Sequence, residues 1–167
     1  LLQGNIYFAQ KLYKSALSSY QKAEKYAQTA DRKEEIINKQ AWVYYQMKQY
    51  EESFNLYRKL ADITGNPEQY LYMSATAAFN AEKYSNAISF FQEYINRFPG
   101  SEKYYEALLG LADSYYNMNK YDSALAQYKL LIDDKVPSGI LTNAINGLEW
   151  SAVQINNYDF AELIDSL

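Results

Sequence analysis

The sequence predicts an all-α protein built from consecutive helical hairpins. Tyrosine supplies 19 of the 167 residues, and some of these tyrosines recur at a nearly constant spacing. Each such anchor tyrosine precedes a small residue by three positions and, in the first four copies, an aromatic residue by seven. The anchors are 37, 34, 37 and 37 residues apart and are Tyr13, Tyr50, Tyr84, Tyr121 and Tyr158. A period of this size is typical of stacked helical units.

Two helical patterns make up each unit. The first helix precedes the anchor and carries a small residue nine positions before it in four copies, Gly4, Ala41, Ala75 and Ala112, while the fifth copy has Glu149. The second helix begins near the anchor and places a small residue and an aromatic residue at i and i+4, as in Ala124 and Tyr128. Small residues that face each other let two helices approach closely, so we expect antiparallel helix pairs.

Helix start and stop signals divide the chain into five repeats, the first and last incomplete. The expected repeats are residues 1–30, 31–65, 66–100, 101–137 and 138–167, which together form one domain. Asp31 followed by Glu34 indicates a helix start, as does Asn66 before Pro67 after the stop at Gly65. Ser101 is the expected N-cap after the break at residues 98–100, and residues 136–139 form the last break.

The order small residue, Tyr, Tyr, Ala, aromatic, Pro resembles the tetratricopeptide repeat, with the best copy at residues 108–131. The resemblance covers essentially the whole chain and implies a right-handed superhelical solenoid of antiparallel helix pairs. Residues 97–116 are similar to bacterial envelope members, including the tetratricopeptide protein of the Tol-Pal system and the barrel-assembly lipoprotein. This similarity favours a periplasmic or outer-membrane-associated location. The family's aromatic residue early in the first helix is replaced here by Ile37, Leu71, Leu108 and Ile145.

Composition argues against several classes of function. The chain has no Cys and no His, so it lacks thiolate nucleophiles, zinc–sulfur ligands and the usual proton-transfer side chain. No phosphate-binding glycine loop is present, and we expect neither an enzyme nor a cofactor or metal site. A net charge of −4 argues against nucleic acid. No apolar run is long enough for a membrane span, and the small basic group at Lys14, Lys22 and Lys25 is interpreted as a solvated helix face.

A second stripe on the first helices is the expected binding surface. In the tetratricopeptide family the first helices line a concave groove, which implies a protein or peptide partner held by these side chains. One position off the packing stripe, the sequence places aromatic residues among asparagines, a composition typical of protein-recognition surfaces. The predicted groove residues are Asn5, Phe8, Asn38, Trp42, Tyr45, Tyr72, Thr76, Phe79, Leu109, Asp113, Tyr116, Asn146 and Trp150.

Alternative interpretations of this stripe remain open. Tyr45, Phe79 and Tyr116 share one repeat position and could serve only to pack against the next hairpin. Family members that grip a terminal carboxylate use several Lys or Arg residues, whereas here only Lys39 lies near the stripe, so we do not expect such a clamp.

The apolar residues at the two ends of the chain carry a second hypothesis. Leu1, Leu2 and Ile6 lie at one end, and Ile155, Phe160, Leu163 and Ile164 lie at the other. We expect either a segment of a longer repeat protein or an oligomerisation module that self-associates through its end repeats.

Overall fold

A computed structural model describes residues 1–155, and this part of the chain is all-α. Nine helices, without a strand, make up these residues. Their bounds are α1 Leu2–Ala9, α2 Tyr13–Lys25, α3 Ala30–Gln46, α4 Tyr50–Ile63, α5 Pro67–Asn80, α6 Tyr84–Arg97, α7 Tyr104–Asn117, α8 Tyr121–Lys129 and α9 Ser138–Gln154. The predicted anchors Tyr13, Tyr50, Tyr84 and Tyr121 each begin a helix, whereas the fifth anchor, Tyr158, lies outside the described residues.

The odd-numbered helices are the first helices of their repeats, and the even-numbered helices are the second. The chain divides into two compact units, residues 1–82 and residues 83–167. In the first unit, α1 to α5 pack against one another in chain order. In the second, α7 packs against α6, α8 and α9, and α8 packs against α9.

The predicted small residues pack at the helix interfaces. The anchor-linked residues Ala16, Ser53, Ala87 and Ala124 are fully buried, as are Ala41, Ala75 and Ala112 on the first helices. The Ser53 hydroxyl donates a hydrogen bond of 2.9 Å to the Ala41 carbonyl, which joins α4 to α3. This contact confirms that the small residues of the two helical patterns face each other.

A common backbone motif ends the first helices. Lys11, Lys48, Glu82 and Asn119 all adopt a left-handed conformation with φ between 57° and 60°. In α3, the Lys48 amide donates to the Tyr45 carbonyl and the Gln49 amide to the Tyr44 carbonyl, both at 2.9 Å. These two bonds form a Schellman motif, which satisfies carbonyl groups that the helix end leaves free.

Two predicted helix starts are wrong in detail. The helix expected to start at Asp31 begins at Ala30, because Thr29 is the N-cap and its hydroxyl accepts from the Arg32 amide at 3.3 Å. The expected N-cap Ser101 lies three residues before α7, which begins at Tyr104. Its hydroxyl instead hydrogen-bonds Tyr94 and accepts from the Lys103 amide. Asn66 and Pro67 occupy the predicted positions at the start of α5, and α9 begins within the predicted last break.

The replacements for the family's early aromatic residue differ in burial. Ile37, Leu71 and Leu108 are buried, at 4%, 0% and 3% exposure. Ile145 is 38% exposed, so in α9 this position does not contribute to the core. Phe160, Leu163 and Ile164, on which part of the self-association hypothesis rests, lie outside the described residues.

Candidate functional site

The thirteen predicted groove residues lie on the first helices of their repeats, and none of them is buried. Asn5, Trp42 and Trp150 are exposed and the remaining ten are half-buried. Trp42 is 41% exposed and Trp150 is 59% exposed, which is unusual for the largest apolar side chain. The stripe is therefore accessible to a ligand in both units.

The first unit contains a groove of about 390 Å³ between its first helices. Four predicted residues, Asn5, Phe8, Asn38 and Trp42, line it. Four further residues complete the lining and were not in the predicted set: Tyr20, Lys39, Tyr57 and Met73. Tyr20 and Tyr57 are the aromatic residues seven positions after the anchors, which the repeat pattern assigns to the core. Both are indeed buried, yet they also form a wall of the groove.

Trp42 is held in place by aromatic contacts on one side. Its ring stacks on Tyr45 with the centroids 5.4 Å apart and the planes 7° from parallel. Tyr45 in turn meets the edge of Tyr50 at 5.1 Å and accepts a 2.7 Å hydrogen bond from the Asn80 side chain. Tyr45 therefore packs against the next first helix, as the alternative interpretation expected, and it also orients Trp42 in the groove wall.

The polar groups of the groove differ in how fully they are engaged. The Tyr20 hydroxyl donates to Asn5 Oδ1 at 2.8 Å, so the Asn5 amide nitrogen keeps its donors. The Asn38 side chain has no hydrogen-bond partner among the described residues. Lys39 lies 3.9 Å from Glu35, at the outer limit of an ion pair, and this pair is partly exposed. The groove thus presents amide donors, an amide acceptor and a weakly paired ammonium group.

Tyr57 brings a buried hydroxyl that has no partner within the described residues. The side chain is 1% exposed, and burial raises the pKa of its phenol well above the usual range, with smaller contributions from Tyr45 and Tyr70. The hydroxyl therefore stays protonated and is a donor without an acceptor. A buried hydroxyl in this state costs about 1 to 3 kcal/mol.

The second unit places a carboxylate at the position that Asn5 occupies in the first. The Tyr128 hydroxyl donates to Asp113 Oδ1 at 2.6 Å, and the two residues are separated along the chain by the same distance as Tyr20 and Asn5. Burial raises the pKa of the Asp113 carboxyl, and the bond from Tyr128 opposes this shift. Asp113 is therefore a half-buried carboxylate with no Lys or Arg partner among the described residues.

Aromatic rings lie beside this carboxylate. Tyr116, one turn after Asp113 on α7, lies 6.5 Å from Trp150 on α9 between ring centroids. Tyr116 also meets the edge of Tyr121 at 5.3 Å, so it contributes to packing within its own hairpin. The Tyr128 ring lies against Gly147 so closely that a Cβ there would come within 3 Å of it. This close contact, together with the bond to Asp113, places Tyr128 between α7 and α9.

The remaining predicted residues lie on α5, α7 and α9. Thr76 donates its hydroxyl to the Tyr72 carbonyl at 3.0 Å, so that hydroxyl proton is already engaged. Tyr72 and Phe79 are half-buried on α5, as Leu109 is on α7 and Asn146 on α9.

The described residues contain no cluster of three or more potential metal-ligating side chains. Within residues 1–155, no helix has the length and apolar character required to cross a bilayer.

Comparison with known proteins identifies the repeats. Residues 34–67 and residues 78–138 match models of the tetratricopeptide repeat, and together these segments cover more than half of the chain. The chain is a tetratricopeptide-repeat protein. This assignment supports a role as a protein–protein interaction scaffold, and proteins of this family are generally non-catalytic. No curated protein sequence matches the chain.

Solved structures show the same fold at low sequence identity. MamA is 18% identical, with 93% of this chain aligned to 86% of MamA at a TM-score of 0.74. The repeats of a putative kinesin light chain from Podosopora anserina are 10% identical, with 98% of this chain aligned to 88% of that chain at a TM-score of 0.71. The apo form of RapI is 20% identical over 96% of this chain, which spans about half of RapI (49%), at a TM-score of 0.72. These similarities support the tetratricopeptide solenoid fold, and at such identities they show the fold alone.

Proposed function

We propose that this tetratricopeptide-repeat protein binds an extended segment of a partner protein, and that the groove of the first unit is the principal site. The observation that supports this proposal is the combination of exposed aromatic surface and unpaired polar groups in one groove. Trp42 is exposed although large and apolar, and the Asn38 side chain has no hydrogen-bond partner among the described residues. The exposed ring costs free energy in the isolated chain, and a bound peptide would cover it.

The lining residues of the groove offer both apolar and polar contacts to a peptide. Phe8, Trp42 and Met73 offer apolar surface to one or two side chains of the segment. The Asn38 amide carries a donor and an acceptor, which match the carbonyl and the N–H of a peptide group. A volume of about 390 Å³ suits a short stretch of peptide better than a globular surface.

The test begins with a phage-displayed random peptide library selected on the full chain. The selected peptide should bind Trp42→Ala at least tenfold more weakly, since loss of a central aromatic contact costs about 2 kcal/mol or more. Tyr26→Ala is the matched control, because Tyr26 is an 83% exposed aromatic residue that does not line this groove. Equal affinity of the Trp42 variant and the control would overturn the groove assignment, provided that circular dichroism shows both variants folded.

A second candidate function is self-association through the first repeat. Leu2 and Ile6 on α1 are 75% and 50% exposed, and together they form apolar surface that a second copy could cover. Analytical ultracentrifugation of the wild type and of the Leu2→Lys/Ile6→Lys variant separates the candidates. A concentration-dependent mass that is lost in the variant supports self-association, whereas a monomer at all concentrations rejects it.

The similarity of residues 97–116 to envelope proteins motivates a location in the bacterial envelope. This location is part of the proposal, and cell fractionation of the native source tests it. Recovery of the protein in the periplasmic or outer-membrane fraction would support it, and recovery in the cytoplasmic fraction would reject it.

A further inference from the structure

The two units contain equivalent sets of side chains with different charge. In the first unit, Asn5 and Phe8 lie one turn apart on α1, and Trp42 lies on α3. In the second unit, Asp113 and Tyr116 lie one turn apart on α7, and Trp150 lies on α9. Asn5 and Asp113 both precede their anchor tyrosines by eight residues, as do Trp42 and Trp150. In each unit a buried tyrosine from the second helix, Tyr20 or Tyr128, donates to the Asn or Asp oxygen.

The second unit places a carboxylate beside aromatic rings of α7 and α9. Tyr128 contacts Gly147 of α9 with its ring and Asp113 of α7 with its hydroxyl, so the carboxylate lies close to both first helices. Trp150 is one turn beyond Gly147, and its ring approaches that of Tyr116, one turn beyond Asp113. The hydrogen bond from Tyr128 engages Oδ1 and leaves Oδ2 without a donor among the described residues.

The local charges in the two units have opposite sign. The residue that corresponds to Gly147 in the first unit is Lys39, an ammonium group in the groove wall. The first set of side chains thus combines a neutral amide with a cation, whereas the second combines a carboxylate with a residue that has no side chain. The whole units follow the same trend: residues 1–82 contain ten Lys or Arg and nine Asp or Glu, and residues 83–167 contain six and eleven.

We propose that Asp113, Tyr116 and Trp150 form a second peptide-binding site that accepts a cationic side chain, in particular the guanidinium group of arginine. This inference rests on the proposed function, because it assumes that the first helices bind peptide segments. A guanidinium group can donate to the free oxygen of Asp113 while its plane lies against an aromatic ring. The partner of this protein therefore contains a basic residue that binds the second unit.

The two tryptophans allow each unit to be tested alone, since one lies in each unit and the chain has no others. In the Trp42→Phe variant, fluorescence excited at a wavelength that tyrosine does not absorb reports only on Trp150. The probe is a capped peptide of sequence Gly-Leu-Arg-Leu-Gly, and the control is the same peptide with citrulline in place of arginine, which removes the charge and keeps the shape. We expect the arginine peptide to change Trp150 emission and to bind on the order of tenfold more tightly than the citrulline peptide.

Asp113→Asn in the same background should abolish the preference for arginine. An amide oxygen can still accept the hydrogen bond from Tyr128, and circular dichroism checks that the variant is folded. Equal binding of the two peptides, an arginine preference that survives Asp113→Asn, or an arginine response seen only through Trp42 in the Trp150→Phe variant would each overturn the proposal. Absence of any Trp150 response to the arginine peptide would also overturn it. If the library-selected peptide still binds at Trp42, that failure leaves the function of the first unit intact.

Discussion

Three tyrosines at one position of the repeat differ in the partner available to their hydroxyl groups. Tyr20 donates to Asn5 and Tyr128 donates to Asp113. At the repeat position of Asn5 and Asp113, the second repeat has Trp42, whose side chain contains no oxygen. The Tyr57 hydroxyl is therefore left without a partner in the described structure. The substitution of a tryptophan for a hydrogen-bond acceptor therefore creates both the exposed ring and the unpaired donor of the groove.

This difference predicts opposite effects of the same substitution at two tyrosines. Tyr57→Phe should leave the free energy of unfolding unchanged or raise it by up to about 1 kcal/mol, because it removes a buried hydroxyl with no partner. Tyr20→Phe should lower it by about 1 kcal/mol, because it removes a hydrogen bond that is made. Urea denaturation of both variants checks this prediction, and an equal loss of stability in the two would contradict it.

The raised pKa of Asp113 predicts that the free energy of unfolding depends on pH. Burial raises the pKa of this carboxyl in the folded state, so between the unfolded and folded pKa values the folded chain binds more protons. This contribution to stability is therefore present at low pH and is lost as the pH rises through that interval. Asp113→Asn should be more stable than the wild type at neutral pH, and the difference should disappear near pH 3, below the ordinary pKa of Asp at about 3.9. Urea denaturation across this range is the measurement, and a difference independent of pH would contradict the assignment.

At the scale of elements, the hairpin turns store conformational strain. Lys11, Lys48 and Glu82 adopt the left-handed conformation that ordinarily favours glycine, and Asn119 adopts it at lower cost. The Schellman bonds at the helix ends hold them there.

Replacing a strained turn residue by glycine should stabilise the chain. Lys48→Gly should raise the free energy of unfolding by roughly 0.5 to 1 kcal/mol, because the penalty of a Cβ in this conformation is removed. Asn119→Gly is the control and should change it much less, since asparagine tolerates the left-handed region. Thermal unfolding of the two variants makes the comparison, and a destabilised Lys48 variant would contradict it.

Replacement of two glycines of α9 by alanine should have opposite effects on stability, because only one of them packs against a neighbouring side chain. Gly147→Ala should lower the free energy of unfolding by about 1 to 3 kcal/mol, because its Cβ would overlap the buried Tyr128 ring. Gly139→Ala should raise it by roughly 0.5 to 1 kcal/mol, since nothing lies within 4 Å and alanine is the better helix former. Calorimetry of both variants tests whether the close contact or helix propensity decides the outcome at Gly147.

At the scale of the whole molecule, the repeat was predictable because it rests on periodicity. The anchors and their small partners recur four times in the described residues, and each copy supports the others. The helix starts at Ala30 and Tyr104 were harder to predict, because Thr29 and Ser101 act through local hydrogen bonds that do not recur in the other repeats. Four of the eight residues that line the groove were in the predicted stripe, because the positions of that stripe follow from helix geometry. The roles of Tyr20 and Tyr57 depend on which residue lies opposite each hydroxyl across a helix interface.

The two units each contain one exposed tryptophan on a first helix, and this arrangement allows peptide binding to the groove of the first unit to be measured alone. In the Trp150→Phe variant, only Trp42 reports, and the peptide selected from the random library is titrated against it. A saturable change in Trp42 emission is expected as the peptide fills the groove. Binding of the same peptide that leaves Trp42 emission unchanged would contradict the assignment of this groove as the principal binding site.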